Sequence, residues 1–244
     1  MKKIIIICLS FFALNAFTFI DEQEANKLEQ ILIEKKQAQD AKLNEEVSPF
    51  CKAIILKQYN IVNTMIEQHT NTNTTENCYE KTPLVWAVTK NDMRMIQLLI
   101  SKGADVNLFG NDEVTPLIQA VADGNLQIID YLLNNEFNKA DINFEKRNFT
   151  PLIAAVSNGY LNVVSYLVEH GANVNYQIKN NDLTALMFAV DNGDLEIAKY
   201  LVENDYDKAN MYLTDRNGLS VFDIAREKGY HEVLEYLKGK EVKK

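Results

Sequence analysis

The spacing of the prolines constrains the fold of this chain more than any other feature. The chain has 244 residues but only four prolines, and the intervals of 34, 33 and 35 residues separate Pro49, Pro83, Pro116 and Pro151. Each proline follows a serine or a threonine. A hydroxyl residue followed by proline is typical of a helix N-cap with proline at the first helical position, where its missing N–H costs no hydrogen bond. The spacing therefore predicts four repeats that each open with a helix.

Two more units continue this register without a proline. They begin at Thr184 and Ser220, which lie 34 and 36 residues after the caps before them. Counting each cap as the first residue, the third residue is Leu or Phe and the sixth is alanine in all six units. The tenth residue is glycine in the last four units, at Gly124, Gly159, Gly193 and Gly229. Glycine favours a left-handed turn at a helix end, and a second helical periodicity follows it, so the sequence predicts six helix–turn–helix units.

These motifs resemble the ankyrin repeat, a unit of roughly 33 residues whose first helix opens with Thr-Pro-Leu-His-x-Ala. The chain has Thr-Pro-Leu-Val-Trp-Ala at 82–87, Thr-Pro-Leu-Ile-Gln-Ala at 115–120, Thr-Pro-Leu-Ile-Ala-Ala at 150–155, and the repeat ends Gly-Ala-Asp-Val-Asn at 103–107 and Gly-Ala-Asn-Val-Asn at 171–175. The motif's histidine is absent from all six units. The resemblance implies an all-α solenoid of six helix–turn–helix repeats with short hairpin loops.

The resemblance also sets the domain boundaries. It covers residues 48–239, with repeats at 48–81, 82–114, 115–149, 150–183, 184–219 and 220–239. Residues 21–47 are rich in Glu, Lys and Gln with spaced apolar residues, which predicts an amphipathic N-terminal capping helix. Residues 240–244 form a polar tail. The third and fifth repeats carry similar insertions, at 135–139 and 204–208, as expected if a two-repeat unit was duplicated.

The first twenty residues stand apart from the repeats. Two lysines precede an apolar stretch at 4–20, and acidic residues follow it from Asp21. This order is typical of a secretory signal peptide at 1–20, for which we predict cleavage after Ala16. A short membrane anchor is the alternative, because an apolar stretch of this length is at the lower limit for spanning a bilayer. We therefore expect an exported protein, periplasmic or secreted, with anchoring in the inner membrane as the alternative.

The charge and the scarce histidines exclude several function classes. The chain has 25 Lys and Arg against 34 Asp and Glu, a net charge of -9, which argues against nucleic-acid binding because that needs a basic surface. The segment that begins at His231 resembles a metalloprotease helix but lacks the second histidine. Seven of the nine glycines occupy repeat positions, and the other two are Gly110 and Gly239, so there is no glycine-rich phosphate loop. We predict no catalytic residue, metal or cofactor.

Cys51 and Cys78 are the only cysteines outside the N-terminal segment. An exported chain meets an oxidising compartment, in which cysteines can pair. Cys51 opens the first helix of the first repeat, and Cys78 lies in the loop to the next repeat, so the two could approach. The resemblance implies an exposed position for Cys78, which argues against pairing. A disulfide and two free or buried thiols both remain open.

The resemblance implies a binding module without catalytic chemistry. Ankyrin stacks present their hairpin tips and first helices as a concave face for protein partners. The residues at the family's variable contact positions are Tyr79, Lys81, Lys90, Asn111, Asp112, Asp123, Lys146, Arg147, Phe149, Asn158, Asn181, Asp191, Arg216 and Asn217. Aromatic residues and arginine dominate the energy of interfaces, so Tyr79, Arg147 and Phe149 are the leading candidates. For each residue, the alternative is a merely solvated loop.

Four tyrosines occupy one register on the second helices, at Tyr131, Tyr166, Tyr200 and Tyr236. We favour a structural role, with rings packed across repeats and hydroxyls in water, over a recognition stripe. The leading functional hypothesis is a monomeric, exported ankyrin-repeat adaptor, or an inhibitor or protective partner of an exported enzyme. The alternatives are a membrane-tethered scaffold and an exported hydrolase or metal enzyme.

Overall fold

The computed structural model describes residues 47–76, 78–145 and 149–241. Within these ranges, twelve helices form six successive pairs without a β-sheet. The first helices are Pro49–Ile55 (α1), Pro83–Thr89 (α3), Pro116–Ala122 (α5), Pro151–Ser157 (α7), Ala185–Asp191 (α9) and Val221–Lys228 (α11). The second helices are Tyr59–Glu67 (α2), Met93–Ser101 (α4), Leu126–Asn134 (α6), Leu161–Glu169 (α8), Leu195–Glu203 (α10) and His231–Glu241 (α12). The predicted all-α repeat fold is confirmed.

Every first helix begins at the hydroxyl residue that the sequence identifies as its cap. In α3, the Thr82 hydroxyl accepts a hydrogen bond from the N–H of Val85 at 3.2 Å, and proline occupies the first helical position. The same bond is made by Ser48, Thr115, Thr150, Thr184 and Ser220. Each cap is worth about 1 kcal/mol of helix stability. Local sequence therefore fixes where each repeat starts.

The turn between the paired helices has a left-handed residue at the same position in every repeat. At Gly193, for example, φ is +71°, and a Cβ would lie 3.1 Å from the ring of Tyr230. Lys57 and Asn91 take this position in the first two repeats, with φ of 56° and 48°. Asparagine is accommodated in this conformation, whereas a residue such as lysine pays roughly 1–2 kcal/mol. The surrounding structure therefore holds the turn of the first repeat against a local penalty.

The core is continuous along the stack. Each first helix packs against its own second helix and against the first helices of the neighbouring repeats. The six alanines at the sixth position are at most 2% exposed, at Ala53, Ala87, Ala120, Ala155, Ala189 and Ala225. A small side chain here lets neighbouring helices approach closely, while large side chains such as Leu84 and Leu117 fill the space beside it.

Asparagine side chains join each hairpin to the next one. Asn107 accepts a hydrogen bond from the N–H of Asp141 at 2.7 Å and donates one to the carbonyl of Lys139 at 3.1 Å. Equivalent pairs of bonds are made by Asn73, Asn143 and Asn175. In the fifth repeat, Tyr212 occupies this register and the series ends. Each asparagine amide therefore provides a hydrogen-bond partner for one backbone N–H and one backbone carbonyl of the next hairpin.

The last helix extends beyond residue 239, where the sequence places the end of the sixth repeat. Helix α12 runs to Glu241, so Lys240 is helical, and its ammonium pairs with the Glu203 carboxylate at 2.5 Å.

Some predicted segments lie outside the described residues. They are the signal segment 1–20, residues 21–46 of the capping helix and residues 242–244 of the tail. No helix in the described part of the chain has both the length and the apolarity needed to cross a bilayer. Residues Ser48–Lys244 form one compact unit.

Candidate protein-binding face

The predicted contact residues that the structure describes share one region, which we call the hairpin face. It consists of the hairpin tips that precede the first helices and of the C-terminal ends of those helices. Among the described residues, the exposed predicted contacts are Tyr79, Lys90, Asn111, Asp123, Phe149, Asn158, Asp191, Arg216 and Asn217. The less exposed ones are Lys81, Asp112 and Asn181. Lys146 and Arg147 lie outside the described residues.

Lys81 and Asp112 bind each other rather than solvent. The Lys81 ammonium lies 3.0 Å from the Asp112 carboxylate and 3.1 Å from the side-chain oxygen of Gln119. The two charged side chains are only 22% and 18% exposed. The N–H of Asp112 also donates to the carbonyl of Glu80 at 3.2 Å. This pair therefore fastens the hairpin at the end of the first repeat to the hairpin at the end of the second, which leaves it little capacity to bind a partner.

Asn181 and Arg216 join the last two hairpins in a similar way. The N–H of Arg216 donates to the carbonyl of Asn181 at 2.9 Å, and its guanidinium donates to the carbonyl of Lys179 at 2.8 Å. The Arg216 side chain is still 59% exposed. Asn217 donates locally to Asp215 at 3.3 Å. Arg216 therefore combines a structural role with an accessible charged surface.

The predicted contacts at the first-helix ends also have intramolecular partners. Asp123 accepts hydrogen bonds from Gln119, and Asn158 donates to the carbonyl of Ala154 at 2.8 Å. Asp191 pairs with Lys228 at 2.7 Å, with both side chains about half exposed. Exposed ion pairs of this kind are worth about 0–1 kcal/mol, so a partner can replace them at little cost.

Sequence reasoning missed two aromatic side chains on this face. Trp86 and Phe188 occupy the fifth position of their repeats and are half-buried. The Trp86 indole N–H donates to the carbonyl of Cys78 at 2.7 Å, and the Lys90 ammonium lies 5.7 Å from its ring centroid. The Phe188 ring packs against Phe149 at 6.4 Å between centroids. The fifth position varies from Lys to Trp among the six repeats, and that variation was the available signal.

Several hairpin tips carry non-glycine residues with positive φ. Tyr79 and Glu80 have φ of 51° and 65°, and Glu113 and Asp182 have φ of 58° and 59°. Such residues cost about 1–2 kcal/mol each unless the surrounding contacts fix them. At the end of the first repeat, the Glu80 carbonyl accepts the hydrogen bond from Asp112 of the second repeat. The tips are therefore held by bonds between repeats.

Cys51 and Cys78 form a disulfide in the structure, with their Cα atoms 5.5 Å apart. The two residues are 0% and 1% exposed, in contrast to the exposed position that the resemblance implies for Cys78. The serine that caps α1 lies beside the bond, with the Ser48 hydroxyl 3.9 Å from the Cys78 sulfur. The bond joins the start of the first helix to the hairpin loop that leads into the second repeat.

A cavity of about 410 Å³ lies at the turn of the first repeat. Its lining residues are Lys57, Gln58, Tyr59, Asn60, Ile61 and Arg94. The Tyr59 hydroxyl donates to Asp92 at 2.9 Å, and this bond raises the pKa of Tyr59 above its usual value. The cavity lining contains no histidine, cysteine or serine. In the described part of the chain, no group of three or more His, Cys, Asp or Glu could hold a metal ion.

The order of the helix pairs and the bonds between hairpins agree with comparison of the sequence with known families. The chain matches the ankyrin-repeat family in three copies, over residues 21–110, 108–178 and 174–244. The chain belongs to the ankyrin-repeat family. Ankyrin repeats are protein–protein interaction modules, and the family is typically non-catalytic. The first match begins at residue 21, before the first predicted repeat.

Three relatives share parts of these repeats. An ankyrin repeat protein of fowlpox virus (strain NVSL) is 36% identical over 83 residues, which are 34% of this chain and 19% of the relative. Alpha-latrocrustotoxin-Lt1a of Latrodectus tredecimguttatus is 36% identical over 69 residues, 28% of this chain and 5% of the toxin. A second fowlpox virus ankyrin repeat protein is 28% identical over 117 residues, 48% of this chain and 19% of the relative. The matched region is thus a small part of each relative.

Proposed function

We propose that this protein is an exported, non-catalytic ankyrin-repeat adaptor that binds another protein through the hairpin face. The observation that carries the proposal is the presence of exposed aromatic rings on that face. Tyr79 and Phe149 are 44% and 42% exposed on this face. The Phe149 ring packs against the half-buried ring of Phe188, and the half-buried Trp86 donates to the carbonyl of Cys78, the residue before Tyr79. Aromatic side chains contribute a disproportionate share of the binding energy in protein interfaces.

Charge acts on association through the whole chain rather than through the hairpin face, whose predicted contacts include five Lys or Arg residues and three Asp residues. The whole chain has a net charge of -9, and charge complementarity increases the rate and the specificity of association. An inhibitor or protective partner of an exported enzyme is a narrower form of the same proposal. Export itself is inferred from the lysines and the apolar stretch of residues 1–20.

Two substitutions on the hairpin face test the proposal. A partner is first identified by mass spectrometry after crosslinking in producing cells and is then purified. We expect the double variant Tyr79→Ser, Phe149→Ser to weaken its Kd at least tenfold, because both side chains lose buried contact area at the interface. The matched control is Leu161→Ser, which removes an apolar side chain of similar exposure (38%) from the start of α8.

Two results would contradict the proposal. One is that no protein is enriched over a control strain without the chain. The other is that the double variant binds the purified partner as tightly as the wild type does. Circular dichroism and thermal unfolding of all variants separate a lost contact from a lost fold.

A membrane-tethered scaffold is the second candidate, because residues 4–20 are long enough to anchor the chain if they are not removed. Intact-mass measurement of the protein purified from its own membrane and soluble fractions distinguishes the two candidates. A mass without residues 1–16 or thereabouts supports the exported form. A full-length mass in the membrane fraction supports the tethered scaffold.

A further inference from the structure

A second exposed surface lies on the second helices and the loops that follow them. We call it the outer edge and define it as residues 130–139, 165–171 and 199–208, which occupy the same place in three successive repeats. The insertions of the third and fifth repeats extend this edge. Phe137 and Tyr206 stand at the same position in these insertions, and they are the two most exposed large apolar residues of the described chain, at 58% and 66%.

Both insertions are built around a buried asparagine. Asn204 accepts hydrogen bonds from the N–H groups of Tyr206 and Asp207 at 3.0 and 2.9 Å, and donates to carbonyls in the last turn of α10. Asn135 makes the same four bonds in its own loop, at 3.1 to 3.3 Å. Asn135 is 7% exposed and Asn204 is 8% exposed. Each loop conformation is therefore fixed from within.

Each insertion is also fastened to the repeat before it. Asn138 accepts a hydrogen bond from the N–H of Val106 at 3.2 Å, and Asp207 accepts one from the N–H of Val174 at 3.0 Å. These bonds hold the loop immediately after the exposed ring. Phe137 and Tyr206 are thus displayed on rigid supports, which lowers the entropy cost of binding.

The edge between the two loops is held across the repeats by tyrosines. The Tyr166 hydroxyl donates to Asp130 of the preceding repeat at 2.5 Å and accepts from Asn134 at 3.2 Å. The Tyr200 hydroxyl donates to the carbonyl of Ser165 at 3.3 Å. The His170 ring stacks on Tyr166 with 4.0 Å between centroids. The spacing between the two exposed rings is therefore fixed by the stack.

The outer edge is acidic. Its three segments contain six carboxylates and three lysines. Glu136 and Asp205 directly precede the exposed rings, and Glu169 lies in the repeat between them. All three are exposed, and no described residue forms an ion pair with them. This charge complements a basic protein surface and opposes binding to an anionic membrane.

We propose that the outer edge is a second docking surface, separate from the hairpin face, for a protein with two apolar pockets bordered by basic side chains. Phe137 fills one pocket and Tyr206 the other, while Glu136, Glu169 and Asp205 pair with the basic borders. Because one rigid edge carries both rings, engagement of the first ring raises the effective concentration of the second.

The first experiment places a photo-crosslinking amino acid at position 137, 206 or 161 of the full chain in producing cells. We expect one and the same protein to crosslink from positions 137 and 206, and not from position 161. The absence of any protein shared by positions 137 and 206 overturns the proposal.

The second experiment measures the Kd of that purified protein by calorimetry. We expect Phe137→Ser and Tyr206→Ser to weaken binding about tenfold each, and the double variant about a hundredfold. The charge reversal Glu136→Lys, Asp205→Lys should weaken binding about tenfold at low salt and less at high salt. Phe149→Ser on the hairpin face is the matched control and should change the Kd less than twofold, which separates this proposal from the preceding one.

Three outcomes of the second experiment overturn the proposal. They are a Kd within twofold of wild type for the double serine variant, a Kd improved by the charge reversal, and weakening by Phe149→Ser equal to that by Phe137→Ser. A parallel titration uses phosphatidylcholine vesicles that contain phosphatidylserine. Vesicle binding that the double serine variant abolishes would assign the edge to a membrane and also overturn the proposal.

Discussion

At the residue scale, Gly110 lies so close to the neighbouring hairpin that there is no room for a Cβ atom. A Cβ at this position would lie 2.6 Å from the carbonyl carbon of Glu80, and closer still to its oxygen. Gly239 is different, because a Cβ there would meet nothing within 4 Å and the residue is helical. The sequence left both glycines unexplained, and only the first is required by packing.

The two glycines give a matched pair of substitutions. We expect Gly110→Ala to destabilise the fold by about 2–4 kcal/mol, because backbone atoms of Glu80 must move away. We expect Gly239→Ala to be neutral or stabilising by up to about 1 kcal/mol, through helix propensity. Urea unfolding followed by circular dichroism measures both. Equal midpoints for the two variants would contradict the packing argument.

At the element scale, tyrosine hydroxyls tie neighbouring second helices together, so these hydroxyls are not all left to water. Tyr166 donates to Asp130, and Tyr236 donates to Glu203 at 2.8 Å. Burial, and then the bond to Asp130, raises the pKa of Tyr166 to about 12. The same bond lowers the pKa of Asp130 below its usual value. These helices are therefore coupled by bonds that depend on pH.

The raised pKa of Tyr166 predicts the direction of an alkaline effect. The stabilisation is fully present below pH 10, where the unfolded tyrosine ionises, and is lost as the pH rises towards about 12. We expect Tyr166→Phe to cost about 1 kcal/mol at pH 8 and clearly less at pH 11. Urea midpoints at both pH values test this. The control Tyr206→Phe removes an exposed hydroxyl and should show no such difference; an identical difference would contradict the prediction.

The disulfide is a second link between elements, since it joins α1 to the loop before α3. Closing a chain separation of 27 residues stabilises the folded state by about 3.5 kcal/mol when the unfolded chain is treated as a random loop. We expect dithiothreitol to lower the stability of the first repeat by about that amount and to change the emission of Trp86, the chain's one tryptophan. Complete alkylation of both cysteines in native protein without reductant would contradict the bond.

At the scale of the whole molecule, the repeats form a one-dimensional stack in which each contacts its neighbours. Ala155 in α7 packs between the first helices of two repeats, whereas Ala225 in α11 has such a neighbour on one side among the described residues. Both alanines are 0% exposed. The same substitution should therefore disturb the repeats on both sides of α7 but only the repeat on one side of α11.

We expect Ala155→Leu and Ala225→Leu each to cost about 1–3 kcal/mol by overpacking. Hydrogen exchange should show faster opening on both sides of α7 in the first variant. In the second, faster opening should be confined to residues 220–241, where each residue has neighbours in only one adjacent repeat. Loss of protection along the entire chain in Ala225→Leu would indicate a single cooperative unit and contradict the prediction.

Much of the candidate site followed from sequence, but the accessibility of its residues did not. The register of the caps placed Tyr79 and Phe149 at hairpin tips, and both are exposed. The same register proposed Lys81 and Asp112, which the fold uses to join two hairpins. It could not show that the Phe149 ring packs on Phe188, because these residues belong to different repeats.

The sequence by itself determined the number of repeats, the start of every first helix and the alanine row of the core, because caps, prolines and helical periodicity act over a few residues. Only the tertiary structure decided which charged side chains are already paired, why Gly110 must be glycine, and that Cys78 is buried beside Cys51. Those properties depend on residues that are 27 to 31 positions apart in the chain, whose distances are set by how neighbouring repeats stack.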